Sequence, residues 1–238
     1  MSNVRQALLQ LTSAPLAGLS LTLGVYAGCH WIYRRSGLKP ILNPVFSAAL
    51  ILVVLLLVSG VEYEAYFRGA QFIDFLLGPA VVALAVPLFT VFDKMREATL
   101  PIAVAVLTGA ITAAGSAVGI AWLCGASAET VRSIASKSVT APVAMSIAHD
   151  IGGVPSLTAV FVILTGMLGA AVATWTLDLV GIEDPKTRGL AIGVTAHGQG
   201  TALALQVDAT SGAFAGLGMG LTALASAALL PTLAKLLW

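Results

Sequence analysis

Long, uninterrupted runs of apolar residues dominate the pattern of this chain. A helix needs about 20 apolar residues to cross the hydrocarbon core of a bilayer, whereas a membrane β-strand alternates apolar and polar positions. Runs of the helical kind lie at 15–33, 41–60, 71–92, 100–124, 156–180, 189–207 and 213–237, and a shorter one lies at 137–151. The pattern therefore predicts an all-α, polytopic transmembrane helical bundle with about seven or eight membrane segments, some of them interrupted or re-entrant.

The composition supports a surface that faces lipid. Hydrophobic residues make up 58% of the 238 residues and charged residues 10%, whereas soluble domains carry roughly 25% charged residues. A net charge of +1 gives no reason to expect a nucleic-acid partner. Cys29 and Cys124 lie in apolar runs without metal-ligand spacing, and no catalytic or cofactor-binding motif is present. We therefore expect no enzyme, no metal site and no cofactor.

Basic residues in the loops predict the orientation of the spans, because cytoplasmic loops collect Lys and Arg. The basic residues of loop 34–39 and those at 94–96 then lie inside, and the N-terminus lies outside. The segment 137–151 is short for a span and contains a proline, so we expect it to enter and leave on one face. If the segment crosses fully, three basic residues fall outside, and if it is re-entrant, the same three lie inside: Lys186, Arg188 and Lys235.

The chain is expected to form one transmembrane domain over residues 15–238. Residues 1–14 before it are mildly amphipathic and are predicted to lie along the membrane surface. Runs 41–124 and 156–237 would each hold three spans of opposite orientation, which predicts an inverted repeat of the kind found in transporters. A competing alignment of 39–46 with 137–144 is left open.

The segment 137–156 carries unusual polarity for membrane depth. Pro142 and Pro155 each remove a backbone donor, and a helix that begins at either would direct its positive end at a cavity. Lys137 would supply a full positive charge to a bound carboxylate, unless it extends to the interface from a merely kinked helix. The candidate binding residues of this segment are Lys137, Ser138, Thr140, Pro142, Gly152, Gly153, Pro155 and Ser156.

The sequence AHGQGTA at 196–202 is a second polar interruption. Its glycines allow close approach of a ligand or a backbone, and His197 has the chemistry to relay a proton or donate to a carboxylate. The structural alternative is close helix packing around a buried neutral histidine bonded to a neighbouring carbonyl. The candidates here are His197, Gly198, Gly200 and Thr201, and the secondary candidates elsewhere are Asn43, Pro79 and Pro87.

The blocks that contain these residues resemble the LrgB family of bacterial membrane proteins. The resemblance rests on KSVTAPVAM, IGGVPSLTAVFVILTG, DPKTRGLAIGVTAHGQGTALAL and GAFAGLGMGL, with LNP, YEAY and FLLGPAVVALAVPL upstream in the same order, and it covers about residues 20–235. The chain departs from the usual family residues at Ser136, Ala141, His149 and Gln199. These departures affect the expected substrate preference more than the expected fold.

The resemblance implies two alternative functions. Family members pair with a small LrgA-type membrane protein and were described as holin- or antiholin-like regulators of murein hydrolases and lysis. A chloroplast relative resembles a glycolate/glycerate transporter, and bacterial relatives are linked to pyruvate uptake. The interrupted polar segments favour a secondary transporter of small 2-hydroxy or 2-oxo monocarboxylates that works by alternating access. We expect it in the bacterial cytoplasmic (inner) membrane, with the carboxylate, an LrgA-type protein, lipid and further copies of itself as partners.

Overall fold

The computed structural model describes residues 16–36, 42, 44–83, 89 and 96–237, and the regular secondary structure in these ranges is helical. The predicted interfacial segment 1–14 lies outside the described residues. The helices are α1 Ala17–Arg35, α2 Pro44–Ser59, α3 Tyr63–Ala83, α4 Thr99–Leu123, α5 Ala128–Ala135, α6 Ala141–Asp150, α7 Pro155–Leu179, α8 Pro185–Val207 and α9 Ala209–Leu237. The all-α prediction is confirmed for the described part of the chain.

The chain divides into two compact units, unit 1 (Met1–Ala83) and unit 2 (Leu84–Trp238). In unit 1, α1 and α3 approach closely because Gly18 lies against the carbonyl of Tyr66 and leaves no room for a side chain. The hydroxyl groups of Thr22 and Tyr66 are 2.7 Å apart and share a hydrogen bond. Helix α2 exposes Leu57 and Val58 almost fully, which fits a surface that faces lipid.

Three long helices form the frame of unit 2. Helices α4 and α7 have 25 residues each and α9 has 29, and each contains a stretch long and apolar enough to cross a membrane. Within the described residues these are the three helices that meet both criteria, while α2 contains a shorter apolar stretch, Ser47–Ser59. The protein is therefore a helical membrane protein, and seven or eight spans stay a prediction.

Buried clusters at the two ends of unit 2 show the direction of each long helix. At one end, named end A, Ile102 of α4 packs with Phe214 of α9, and Leu177 of α7 lies in an adjacent cluster that also includes Ala215. A further cluster extends from the interior of unit 2 toward the other end, named end B, and includes residues from α4, α7 and α9: Val118, Val162 and Ala234. Helices α4 and α9 therefore run from end A to end B, and α7 runs in the opposite direction.

Helices α5 and α6 form hairpin 1 (residues 128–150), which enters unit 2 from end B. Helix α6 has ten residues, so it is about 15 Å long, half of the roughly 30 Å hydrocarbon core. The chain returns to its starting end, because the Val154 amide donates to Ser133 Oγ at 2.8 Å. The Thr158 hydroxyl donates to the Ser133 carbonyl at 2.9 Å. This geometry fits the predicted re-entrant segment.

Helix α8 is not one continuous helix, because His197 has φ 39° and ψ −131°. Before this break, Gly189 lies against the Ser211 carbonyl and Gly193 against the Ala215 carbonyl, so the first arm runs parallel to α9.

After the break the chain folds back on itself. The Cα of Gly200 packs against the side chain and carbonyl of Ile192, which would be about 12 Å away on a straight helix. Leu205 then reaches Gly212 at the start of α9. Residues 185–207 are therefore a second hairpin, hairpin 2, and it enters unit 2 from end A.

Polar contacts anchor hairpin 2 at end A. Asp184 caps the first arm, where the Thr187 hydroxyl and amide donate to Asp184 Oδ2 at 2.7 and 3.0 Å. These bonds, the hydroxyl first, hold the pKa of the Asp184 carboxyl below its ordinary value. Arg188 Nη1 donates to Asp178 Oδ1 at 2.6 Å and to the Ile182 carbonyl at 2.7 Å. Asp178, Asp184 and Arg188 thus have structural roles at this end.

Two parts of the predicted topology are wrong. The run 189–207 is not one continuous helix, because the backbone reverses at His197. Lys235 consequently lies at end B beside Arg132 and Asp150, at the opposite end from Arg188. Hydropathy could not show this reversal, since both arms of hairpin 2 are apolar.

A 25-residue helix followed by a half-length hairpin occurs twice in unit 2, and the two copies have opposite directions. The first copy is α4 with hairpin 1, and the second is α7 with hairpin 2. The sequence predicted a repeat between 41–124 and 156–237. The first part of this repeat is divided, because residues 41–83 belong to unit 1 and residues 84–124 belong to unit 2. That repeat, and its competing alignment, stay predictions.

Accessibility of single cysteines tests this topology. In a chain whose Cys29 and Cys124 are replaced by serine, we expect Glu183→Cys and Asp208→Cys to react with a membrane-impermeant maleimide from the same side, because hairpin 2 returns to end A. Lys235→Cys should react from the opposite side. Labelling of positions 183 and 208 from opposite sides would show that residues 185–207 cross the membrane.

Candidate functional site

The tips of the two hairpins meet beside Val162 in the interior of unit 2. Val139, at the tip of hairpin 1, is 1% exposed and belongs to the same buried cluster as Val162. His197, at the tip of hairpin 2, has its Nε2 atom 3.1 Å from the Val162 carbonyl oxygen. The two polar interruptions found in the sequence thus both lie beside Val162, and the predicted binding site itself stays a prediction.

The tip of hairpin 1 presents positive charge. Lys137 is half-buried, and its Nζ atom lies 3.5 Å from Ser138 Oγ. Among the described residues, no carboxylate forms an ion pair with Lys137. Thr140 occupies the N-cap position of α6, but its side chain does not cap the helix. A lysine therefore lies only four residues before the positive end of α6, an arrangement that favours an anion.

The two prolines of this segment begin helices, as predicted. Pro142 lies in the first turn of α6 and Pro155 is the first residue of α7, positions in which the missing amide hydrogen costs no helical hydrogen bond. Pro142 thus fixes the start of α6 at the tip.

The tip of hairpin 2 contributes a second helix start. Gly198 follows the break, so the return arm of hairpin 2 begins there. The side-chain oxygen of Gln199 is buried and has no hydrogen-bond partner in the part of the chain that the structure describes. Buried amide oxygens are almost always paired, so this atom marks a place where a donor fits. The sequence showed Gln199 only as a departure from the family, because a lone amide in an apolar helix carries little pattern.

Gly200 and Thr201 stabilise the bend at His197, and this structural role outweighs any contact with a ligand. The Thr201 hydroxyl donates to the His197 carbonyl at 2.8 Å, and both groups are buried. Gly200 has no space for a side chain, since Ile192 and Ala196 of the first arm occupy it. These two candidates therefore shape the tip.

The imidazole of His197 joins hairpin 2 to α7. The side chain is 4% exposed. The Val162 carbonyl can only accept a hydrogen bond, so Nε2 carries the proton and Nδ1 is left as the acceptor. Gly166 packs directly against the ring and could carry no side chain there. This geometry resembles the structural alternative, a buried histidine bonded to a neighbouring carbonyl, and a proton-relay role for Nδ1 stays a prediction.

The turn between α6 and α7, including its two glycines, lies away from the tips of the hairpins. Gly152 has φ 76° and closes α6 at its far end, and Gly153 packs against the backbone of Ser133 at end B. Helix α6 separates this turn from Thr140 by about 15 Å. This corrects the expectation that four residues close the binding site from the second break: Gly152, Gly153, Pro155 and Ser156.

The secondary candidates have separate positions. Pro79 lies inside α3 in unit 1 and its side chain is exposed. Asn43 and Pro87 lie outside the described residues.

The long apolar helices and the two half-length hairpins define a multi-pass helical membrane protein. The model of the LrgB-like family matches residues 22–236, nearly the whole chain, and the protein belongs to this family.

Three curated relatives that resemble this chain are bacterial proteins. Holin-like protein CidB of Staphylococcus epidermidis is 35% identical over 200 residues, which cover 84% of this chain and 87% of the relative. Holin-like protein CidB of Staphylococcus aureus is 34% identical over 200 residues, which also cover 84% of this chain and 87% of the relative. A Bacillus subtilis protein, YxaC, described as uncharacterized, is 37% identical over 186 residues, or 78% of this chain and 80% of the relative. No solved structure matches the chain.

Substitution of His197 separates its backbone role from its side-chain role. Both His197→Gly and His197→Ala remove the bond to Val162, but only glycine adopts a positive φ without strain. We expect the glycine variant to be more stable than the alanine variant by about 1 kcal/mol, measured by thermal unfolding in detergent. Equal stability of the two variants, or a more stable alanine variant, would contradict a backbone reversal at this residue.

Proposed function

We propose that this protein is a secondary transporter of small monocarboxylates in the bacterial cytoplasmic membrane. The observation that carries the proposal is the meeting of two half-length hairpins at a positively charged, partly buried tip region. Backbone that leaves the helix at membrane depth is tolerated where it is buried in protein or lines a cavity. Interrupted helices of this kind form the binding sites of many secondary transporters.

The charges at the tips suit one small anion. Lys137 offers an ammonium group that has no ion-pair partner among the described residues. The start of α6 and the start of the return arm of hairpin 2 add two partial positive charges. A single carboxylate would neutralise this region, since a lysine charge left unpaired at membrane depth is costly.

Neutral polar groups at the tips suit a substituent next to the carboxylate. The hydroxyls of Ser138 and Thr140 lie next to Lys137 in sequence, and the amide of Gln199 lies on the facing hairpin. Hydroxyl and amide groups both donate and accept, so they bind a 2-hydroxy or a 2-oxo group. Glycolate, glycerate and pyruvate are acids of this size and chemistry.

The hairpins provide an arrangement for alternating access. Hairpin 1 lies between the tips and end B, and hairpin 2 lies between the tips and end A. Displacement of one hairpin would open the tip region to one side of the membrane while the other hairpin keeps the opposite side closed. Movement of one repeat against the other is the usual mechanism of such transporters.

A holin-like regulator of lysis is the second candidate. The names of the staphylococcal relatives, holin-like protein CidB, favour this function over transport. A protein of this type would act through contacts with an LrgA-type membrane protein and with further copies of itself. A lysine at the hairpin tip would then be replaceable by an apolar residue of similar length.

Uptake into proteoliposomes tests the transport proposal. We expect saturable uptake of labelled glycolate or pyruvate by the protein, alone or with its LrgA-type partner, and a loss of about ten- to hundredfold in Lys137→Gln, because a charge-assisted hydrogen bond is removed. Lys186→Gln, a lysine at end A, is the matched control and should transport normally.

Two results would count against transport. Absence of saturable uptake by folded, inserted wild-type protein under both conditions would favour the lysis regulator. Uptake that is unaffected by Lys137→Gln would show transport through another site. A Lys137→Leu variant that keeps its effect on cell lysis would support the regulatory candidate further.

A further inference from the structure

Two buried polar groups in the middle of unit 2 have no hydrogen-bond partner within the described part of the chain. They are the side-chain oxygen of Gln199 in hairpin 2 and the hydroxyl of Thr222 in α9. Thr222 is only 1% exposed, so water does not replace the missing partner. Buried polar atoms in native proteins are almost always paired, and each unpaired one costs stability. Two such atoms in one region therefore favour a surface that binds a polar ligand.

The hydroxyl of Thr222 differs from those of other threonines in unit 2. A threonine inside a helix can donate to the carbonyl four residues earlier, which satisfies its hydroxyl without an outside partner. Thr222 lies near the middle of α9, where this bond is available, and does not make it. Its hydroxyl therefore remains able to bind a group outside its own helix. Six threonines in the helices of unit 2 do make the bond: Thr108, Thr158, Thr176, Thr195, Thr201 and Thr232.

The position of Thr222 along α9 relates it to both hairpin tips. One turn before it, Met219 has its Sδ atom 3.9 Å from the hydroxyl oxygen of Thr201, at the tip of hairpin 2. The residue after it, Ala223, packs against the buried cluster that contains Val139 from the tip of hairpin 1. Helix α9 therefore brings Thr222 to the depth at which the hairpins end.

Gln199 lies at the same depth, next to α7. Its amide carbon lies against Gly166, beside the imidazole of His197. Gly166 is one turn after Val162, which belongs to the same buried cluster as Val139. The two unpaired groups thus come from different elements, Gln199 from hairpin 2 and Thr222 from α9, and both lie where the tips end.

We propose that Gln199 and Thr222 bind the substituent on carbon 2 of the substrate and select a hydroxyl group over a keto group. This inference rests on the proposed transport of small monocarboxylates. The Gln199 oxygen only accepts hydrogen bonds, whereas a hydroxyl both donates and accepts. A 2-hydroxyl group donates to Gln199 and accepts from Thr222. A 2-oxo group accepts from Thr222 but leaves the Gln199 oxygen unpaired.

Competition between two acids with the same carbon skeleton tests this selection. Unlabelled lactate and pyruvate compete with labelled glycolate for uptake into proteoliposomes, and their inhibition constants are compared. We expect the wild-type protein to bind lactate about tenfold more tightly, because pyruvate leaves a buried acceptor unpaired. Gln199→Met keeps the length of the side chain without the acceptor and should bring the ratio close to one. Gln206→Met, at an exposed position of the same return arm, is the matched control and should keep the wild-type ratio.

Thr222→Val tests the second group. Valine has the shape of threonine without the hydroxyl, so this variant should unfold at or above the wild-type temperature in detergent. Both lactate and pyruvate should bind about fivefold more weakly, since both accept from Thr222. Binding of propionate, which has no substituent on carbon 2, should not change. Thr232→Val is the control on the same helix, because the Thr232 hydroxyl already donates to the Ala228 carbonyl.

Several outcomes would overturn the selection while leaving transport intact. One is a wild-type preference for pyruvate, which would mean that Gln199 presents its NH₂ group. Another is a preference for lactate that survives Gln199→Met. Wild-type binding of both acids by Thr222→Val, or a lower unfolding temperature of that variant, would remove Thr222 from the site. Absence of saturable uptake of glycolate, lactate and pyruvate by folded wild-type protein would instead reject the transport function, and this inference with it.

Discussion

The reversal of the backbone at His197 is the constraint on which the arrangement of unit 2 depends. A reversal at membrane depth leaves amide and carbonyl groups without helical partners, and lipid offers them none. The structure meets this requirement by enclosing the bend within protein. The Thr201 hydroxyl donates to the His197 carbonyl, and the imidazole donates to the Val162 carbonyl of α7. The bend is therefore possible only where α7 and the return arm of hairpin 2 surround it.

Close backbone packing follows from that enclosure. The first arm of hairpin 2 approaches α9 at Gly189 and Gly193, where a Cβ atom would collide with the facing carbonyl groups. Helices in lipid gain little from apolar burial and associate through such close contacts and interhelical hydrogen bonds. The same small residues that allow the hairpin to insert leave little space around its tip.

The long spans could be predicted from sequence more reliably than the hairpins. The run at 156–180 is found as Pro155–Leu179, because unbroken apolar length leaves few alternatives to a spanning helix. The bend in 189–207 could not be predicted, since positive φ is expected at Gly198 or Gly200 and occurs at His197 instead. Polar residues in apolar runs pointed to Lys137 and His197, which lie at the tips of the two hairpins, and their role in binding stays a prediction. Gly152 was included among the candidate binding residues because it is near Lys137 in sequence, although helix α6 holds it away from the tips.

The distance between residues 186 and 206 tests the central claim, the reversal within hairpin 2, most directly. Spin labels at Lys186→Cys and Gln206→Cys, in a chain with Cys29 and Cys124 replaced by serine, report this distance in a lipid bilayer. A hairpin places the two backbones about 10 Å apart, the usual separation of packed helices. A continuous helix would place them about 30 Å apart. A short distance would support two hairpins that meet within the membrane, and a distance near that of the continuous helix would contradict them.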